Sequence, residues 1–477
     1  MAAKKLGLLD ATLLVSGSMI GSGVFIVAAD MTRQVGSSGW LMLAWVLTGV
    51  MTLMAALSFG EMGAMMPHAG GQYNYISRAY GRPMAFVYGW SVFSVIQTGV
   101  IAAVAMAFAK YLAIIVPSLN ESDALFWGLS KGQGVAILSI VLLTLINARG
   151  IQESKWVQRL FTWAKLTALF GLILTGIYCA ISFPTLWNNF QGAFQAQRFN
   201  GVSWESISGL ALATAFSGAM VGSLFSSDAW QGLTFMSDEV DAPTRNIPKA
   251  LVFGTLLVTV VYCLTQMAYL SILPLKGDAQ ADSELLRKGI AFAENDRVGA
   301  AAAAGLFSGS TATGSLWMAV LIVISTFGCN NGLIMAGSRL FRAMASQGYF
   351  FRSAAKTNSA GMPVQALWMQ GAWASVLCLS GSYGELLEYC TFASLFFYLI
   401  TVVGLFRLRI KEPETERPYR VWGYPWIPLL YSLLASAICL GILTSKFESS
   451  VKGLALVALG FPIYGVIQRL NAQREAK

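Results

Sequence analysis

The chain has 477 residues, 56% hydrophobic and 12% charged, with a net charge of +9 and a mean hydropathy of +0.61. Soluble domains carry about 25% charged residues, so there is too little charge here to coat a water-soluble globule. Six cysteines without a CxxC pair and a single histidine exclude a disulfide scaffold and a histidine-based metal site.

Runs of about 20 apolar residues, each able to cross a hydrocarbon layer roughly 30 Å thick, recur from end to end. They lack the alternation of barrel strands, so the expected class is an all-α polytopic membrane protein. Twelve spans are predicted, at 6–31, 39–62, 84–116, 134–148, 157–183, 206–236, 250–273, 315–344, 364–379, 385–408, 426–443 and 453–466. The fourth is the shortest. Lys4 and Lys5 precede a first span too long for a cleavable signal peptide. Lysines and arginines concentrate in the tails and even-numbered loops, which places both termini in the cytoplasm. The net charge therefore reads as a topology signal. No basic stripe points to a nucleic-acid partner; the lipid bilayer is the expected surround.

The first span contains GSMIGSGVF, residues 17–25, with three glycines and two serines where a helix should be most regular. Glycine in a helix interior costs roughly 0.5–1 kcal/mol relative to alanine. Two readings stand. Gly17 and Gly21 have small-xxx-small spacing, which suits close helix packing. A break at Ile20-Gly21-Ser22-Gly23 would instead free amides at the start of the outer half-helix, a site for a carboxylate. At the end of the second span, Glu61 reads as an inner-gate ion pair with Arg78 and Arg82, or as a solvated helix-end acid. His68 in the following loop reads as a cytoplasmic pH sensor or as an incidental residue.

Lys165 lies inside the fifth span, in FTWAKLTALFG. It either snorkels towards the cytoplasmic end marked by Arg159 or donates to carbonyls freed by a broken first helix. The sixth span carries GSLFSSDAWQG, poor in helix formers, with Asp228 near bilayer depth. Interrupted first and sixth spans lie five spans apart, the spacing of inverted five-helix repeats; discontinuous helices in corresponding positions point to a transporter's binding site. In the eighth span, Asn330 and Asn331 serve helix packing or contact the hinge near Lys165. The six cysteines all fall inside spans and read as packing residues. Serine, histidine and acid positions assemble no triad, and no metal-ligand spacing appears, so neither an enzyme nor a cofactor is expected.

Several blocks carry a family likeness: GSMIGSGVF, FGEMGAMMPHAGGQYNYISRAYG, FTWAKLTAL, LFSSDAWQGLTFMSDEVDAPTRNIPKAL, FGCNNGLIMAGSRLFRAMASQGYF and ERPYRVWGYPWIP. In these the chain resembles the amino acid–polyamine–organocation superfamily, and within it the L-type amino acid transporter branch, over essentially its whole length. The resemblance implies a LeuT-type fold with 12 transmembrane helices. Residues 1–183 and 206–408 would be the inverted repeats, helices 1 and 6 broken, and 409–477 the two peripheral helices. It implies L-amino acid transport by alternating access, usually as exchange. By position, the amides near Gly21, Ser22 and Gly23 would hold the substrate carboxylate. Carbonyls of Ile20, Phe225 and Ser226, with Asp228, would receive the ammonium. Phe225 would cap the site from outside, Trp230 would stand just beyond the break, and Lys165 would replace a sodium ion.

Two departures bear on the reading. Ser226-Ser227 stands where many members have alanine followed by an aromatic residue, so small or medium neutral amino acids are expected. The loop PSLNESDALFWGLSKG has no cysteine, so no disulfide-linked heavy chain is expected. The expected protein is a sodium-independent exchanger of the bacterial cytoplasmic membrane. The alternatives are a proton-coupled symporter, a cationic amino acid or polyamine exchanger in which Asp228 pairs a substrate amine, and, from another class, a non-transporting nutrient sensor.

Overall fold

The computed structural model describes residues 5–120, 123–126, 128–277, 284–306, 311–380 and 383–475. Among them, eleven helices are long and apolar enough to cross a membrane, and Val364–Leu379 is a shorter apolar helix. The short one is therefore the predicted ninth span, whose helix Val364–Ser380 has 17 residues, about 25 Å at 1.5 Å each. The predicted fourth is longer than its hydropathy indicated. A capping box formed by Ser130 and Gln133 starts the helix Lys131–Arg149, giving it 19 residues.

Three spans are interrupted. The first is helical over Leu8–Met19, opens at Ile20, and resumes at Gly23–Ile26. Val27 keeps helical dihedrals, so the chain turns on into Ala28–Val35. The sixth is helical over Gly209–Ser226 and again over Gly232–Phe235, with Ala229 between them at φ 70°. The third contains a π-turn, Val92–Ile96, between Arg82–Ser91 and Gln97–Ile115. Its freed carbonyls are taken up from neighbours: Trp373 Nε1 donates to Ser94 O at 3.0 Å and Cys390 Sγ to Val95 O at 3.2 Å. Such bulges concentrate at functional sites.

The seventh span, Pro243–Ile272, packs against the first, second and fifth, and the eighth, Thr311–Ser346, against the third and fifth. The broken spans thus sit between two walls of continuous helix. In the third span 83% of the apolar window is buried, against 33% and 22% for Trp426–Ser445 and Phe447–Arg469, which places the last two at the periphery. At the N-terminal face, Leu6 pairs in parallel with Val240, just past the sixth span. At the opposite face a hairpin, Gln197–Phe199 with Trp204–Ser206, lies against Ala28–Val35.

Candidate functional site

The first break exists because two glycines let other elements in. A Cβ on Gly23 would come 2.2 Å from Ser226 Oγ, and one on Gly21 2.9 Å from Cys329 Sγ. The two broken spans therefore touch at Gly23 and Ser226, and the eighth span closes over Gly21.

The polar groups of this break divide sharply by sign. The carbonyls of residues 17–20 before it and of Val24 and Phe25 after it face side chains from other spans. Lys165 Nζ donates to Gly17 O at 2.5 Å and to Ile20 O at 2.8 Å. Cys329 Sγ donates to Ser18 O at 3.2 Å, Tyr269 Oη to Val24 O at 3.2 Å and Tyr111 Oη to Phe25 O at 2.8 Å. The Tyr262 hydroxyl lies 2.9 Å from Met19 O and 3.0 Å from Ser226 O, joining both breaks, and it faces the Gly21 amide. The amides of Ser22, Gly23 and Val24 have no hydrogen-bond acceptor among the described residues, although all three residues are buried. Buried amides are almost always paired. Open donors at the start of a helix, with the carbonyls of residues 17–20 already engaged, suit an anion.

The second break presents the opposite polarity. Gly209–Ser226 ends here, so its C-terminal carbonyls carry partial negative charge. Phe225 O accepts the Asp228 amide at 3.2 Å and Ser226 O faces Tyr262. Phe225 packs edge-on to Tyr383 at 6.1 Å, and Tyr383 Oη lies 3.5 Å from Ser22 Oγ. Above this pair, towards the face away from the N-terminus, is a cavity of about 330 Å³ lined by Ile26, Asp30, Arg33, Lys110, Tyr383 and Glu388. Ser227 lies at the end of the helix. Trp230 is buried in an aromatic group, 4.8 Å from Phe59 and 5.3 Å from Tyr398.

Lys165 is fully buried. The snorkelling alternative is thereby set aside, because its ammonium is spent on carbonyls of the first break. The Asp228 carboxylate accepts hydrogen bonds from the Tyr398 hydroxyl and, at 3.1 Å, from Ser394 Oγ, both on the tenth span, Tyr383–Lys411.

Glu61 departs from both sequence readings. It is fully buried, and its partners come from the far end of the chain rather than from Arg78 and Arg82. Arg409 Nη2 lies 2.6 Å from Oε2, Arg417 Nε 3.2 Å from Oε1, and the Val421 amide 2.7 Å from Oε2. This fastens the ERPYRVWGYP segment to the second span. Arg78 instead pairs with Glu412 at 2.7 Å, outside the spans, and its hydrogen bond holds the Glu412 carboxyl below the ordinary glutamate value. His68 is exposed. Asn331 Oδ1 accepts from Asn147 Nδ2 at 2.7 Å and Asn330 Nδ2 donates to Ile101 O at 3.2 Å, both packing contacts between spans. Their neighbour Cys329 is the residue at the hinge. Cys329 and the three tyrosines at the first break were not singled out in the sequence. Their only local signal is a polar group in an apolar helix.

Arg339 Nε on the eighth span meets Glu239 Oε1 at 3.1 Å, next to the Leu6–Val240 pairing.

Comparison with known proteins gives a family and relatives. The amino acid permease family matches residues 6–461. The chain is 27% identical over 421 residues to the b(0,+)-type amino acid transporter 1 of Oryctolagus cuniculus, covering 88% of this chain and 78% of that protein. It is 27% identical over 463 residues to the cystine/glutamate transporter of Homo sapiens, covering 97% and 84%. To the large neutral amino acids transporter small subunit 2 of Mus musculus it is 28% identical over 465 residues, covering 97% and 80%.

Proposed function

The chain belongs to the amino acid permease family, amino acid transporters of the amino acid–polyamine–organocation superfamily with the LeuT-type fold, and from that premise we propose that it exchanges neutral L-amino acids by alternating access without sodium. The observation that carries the reading is the sorting of charge at the first break. The carbonyls of Gly17, Ser18, Met19 and Ile20 are engaged, two of them by the Lys165 ammonium, while the amides of Ser22, Gly23 and Val24 stay open. An α-carboxylate fits the open donors. The remaining lone pairs of Ile20 O on the first break and of Phe225 O and Ser226 O at the carbonyl end of Gly209–Ser226 take the α-ammonium. Because main-chain groups read the zwitterion, the side chains around the pocket select among amino acids, and Ser226-Ser227 favours small or medium ones. Lys165 occupies the place of a coupling cation, so the cycle needs no sodium.

In this reading residues 1–183 and 206–408 are the two inverted repeats and 409–477 the peripheral pair. The N-terminal face is cytoplasmic in a bacterial inner membrane, with the Arg339–Glu239 pair on that side. The protein works without a disulfide-linked partner, since the loop after the third span lacks cysteine. The test is uptake of labelled amino acids into proteoliposomes with and without internal amino acid, in sodium and in choline. Flux that needs internal substrate but not sodium supports the reading, and strict sodium dependence refutes it. A cationic-substrate reading is second, favoured by the buried Asp228 carboxylate; saturable competition by arginine or a polyamine would select it.

A further inference from the structure

Between the fifth and sixth spans the chain lacks charge over a longer run than a water-facing loop normally does. Residues 166–197 contain no aspartate, glutamate, lysine or arginine, and the part beyond the span reads FPTLWNNFQGAFQAQ. Soluble domains carry about 25% charged residues. Asn189, on the short helix Thr185–Phe190, fixes the depth of this stretch. Its Nδ2 donates to Leu270 O at 2.7 Å and Leu273 O at 2.8 Å, and its Oδ1 accepts the Leu275 amide at 2.8 Å. Ser38 Oγ donates to Asn189 O at 2.7 Å. The second span starts at Ser38 and has 28 residues; the seventh ends at Ile272 and has 30. At 1.5 Å per residue both are about 42–45 Å long, the thickness of a bilayer with its headgroups. The short helix is therefore level with the headgroup layer, where both spans end.

One side of the segment is spent on the protein. Ser37 Oγ donates to Ala193 O at 2.5 Å, the Gly39 amide to the same oxygen at 2.8 Å, and Trp40 Nε1 to Phe194 O at 3.1 Å. These donors follow directly on the outer half-helix Ala28–Val35, so the segment fixes where that half-helix ends. The other side is apolar and exposed: Trp187 is 71% exposed and Phe194 67%. Trp187 stands two residues from Asn189, about 200° round the helix, so one points out while the other is bonded to the seventh span. An exposed stripe of the fifth span leads into this patch. Leu174, Tyr178 and Ile181 recur there at helical spacing, and Phe183 follows. That stripe belongs to a span surrounded by lipid, so the patch continues a lipid-facing surface.

Charge decides the kind of lipid group it fits. An anionic surface is met by lysine or arginine, and residues 183–197 have neither. Indole and benzyl rings beside amide side chains suit the uncharged glycerol and carbonyl layer, where tryptophan concentrates. The neighbouring hairpin is a contrast. Val202 near its tip is 90% exposed, yet Arg198 and Glu205 stand opposite each other on the two strands.

We propose that residues 183–194 form a foot seated in the bilayer leaflet opposite the N-terminal face, with Trp187 and Phe194 inserted among the uncharged acyl-glycerol groups of its phospholipids, while the hairpin stands in water. Through Ser37, Ser38, Gly39 and Trp40 the outer end of the first span is held against the leaflet as well as against the protein. This contact is independent of which amino acid is carried and of how its movement is coupled.

The full chain in phosphatidylcholine vesicles, labelled with a bimane at Trp187→Cys, Phe194→Cys or Val202→Cys and corrected for labelling of the unsubstituted chain, tests the seat. Quenching by a phosphatidylcholine nitroxide near the glycerol is compared with quenching by aqueous iodide. Trp187→Cys and Phe194→Cys are expected to lose most of their emission to the lipid quencher and little to iodide, and Val202→Cys the reverse. If the cysteine variants do not fold, Trp187→Phe keeps the apolar face, and the wild type is expected to lose more tryptophan emission than this variant to shallow-brominated phosphatidylcholine. Iodide quenching at Trp187→Cys and Phe194→Cys as strong as at Val202→Cys overturns the seat, as does brominated-lipid quenching unchanged in Trp187→Phe. Protection from both quenchers, with cross-linking of Trp187→Cys into a dimer, also overturns it by making the patch a contact between copies. Lipid quenching that requires phosphatidylglycerol overturns the uncharged partner.

Discussion

Replacing Lys165 by methionine removes the ammonium and keeps the reach of the side chain. In the native protein that ammonium holds Gly17 O at 2.5 Å and Ile20 O at 2.8 Å, in a position closed to water. A hydrogen bond from a charged donor contributes about 1.5–3 kcal/mol, so the two together favour the open break by about 3–6 kcal/mol. Methionine leaves both carbonyls buried and unsatisfied, and the cheapest repair is for residues 17–23 to wind back into helix, which consumes the free amides. At tenfold per 1.4 kcal/mol, the lower figure depopulates the binding-competent break roughly a hundredfold, and apparent affinity falls by the same factor. The assay is concentration-dependent exchange in proteoliposomes, with thermal unfolding and size-exclusion profiles to establish that the variant is folded. Lys165→Arg should not rescue, because a planar guanidinium does not fit a site built around a compact ammonium. A folded Lys165→Met protein with wild-type affinity and turnover would refute the argument.

Three other outcomes follow from the same geometry. Gly23→Ala puts a methyl 2.2 Å from Ser226 Oγ, an overpacking cost of about 1–3 kcal/mol; substrate affinity should drop, and Ser226→Gly in the same chain should recover part of it in equilibrium binding. Glu61→Ala strands Arg409 and Arg417 beside a buried gap, which costs about 3–5 kcal/mol when one partner of a buried pair is removed; thermal midpoint and membrane yield should fall, and an unchanged midpoint would mean that the knot is idle. The Arg78–Glu412 pair predicts a pH effect. Arg78 depresses the Glu412 carboxyl from its ordinary 4.5, so its contribution is present above that value and lost as pH falls through the depressed one. Arg78→Gln should therefore lower the thermal midpoint at neutral pH, with the gap to wild type closing on acidification.

Hydropathy made the spans legible because lipid admits few alternatives: a polar backbone in hydrocarbon must be helical or buried. The two breaks were legible for a related reason, since glycine and serine in mid-span mark where main chain is allowed to leave the helix. The partners of those breaks were not. Lys165 could be seen as a charge in an apolar run, but whether it reached the headgroups or Gly17 depended on fifth-span packing that no local pattern encodes. Glu61 illustrates the same limit from the other direction. Its nearest arginines in sequence, Arg78 and Arg82, were the natural candidates, and the fold instead delivered Arg409 and Arg417 from about 350 residues away. Tyr262 is the clearest case. In sequence it is an aromatic in the seventh span, and only the crossing of three helices makes its single hydroxyl the link between Met19 O and Ser226 O. Glycines declare that a backbone opens. What the opening is for depends on which of its two kinds of polar group the rest of the chain leaves unpaired, and here the carbonyls of residues 17–20 are engaged and the amides of Ser22, Gly23 and Val24 are not. By that asymmetry the occupant proposed for the break is a carboxylate rather than a cation.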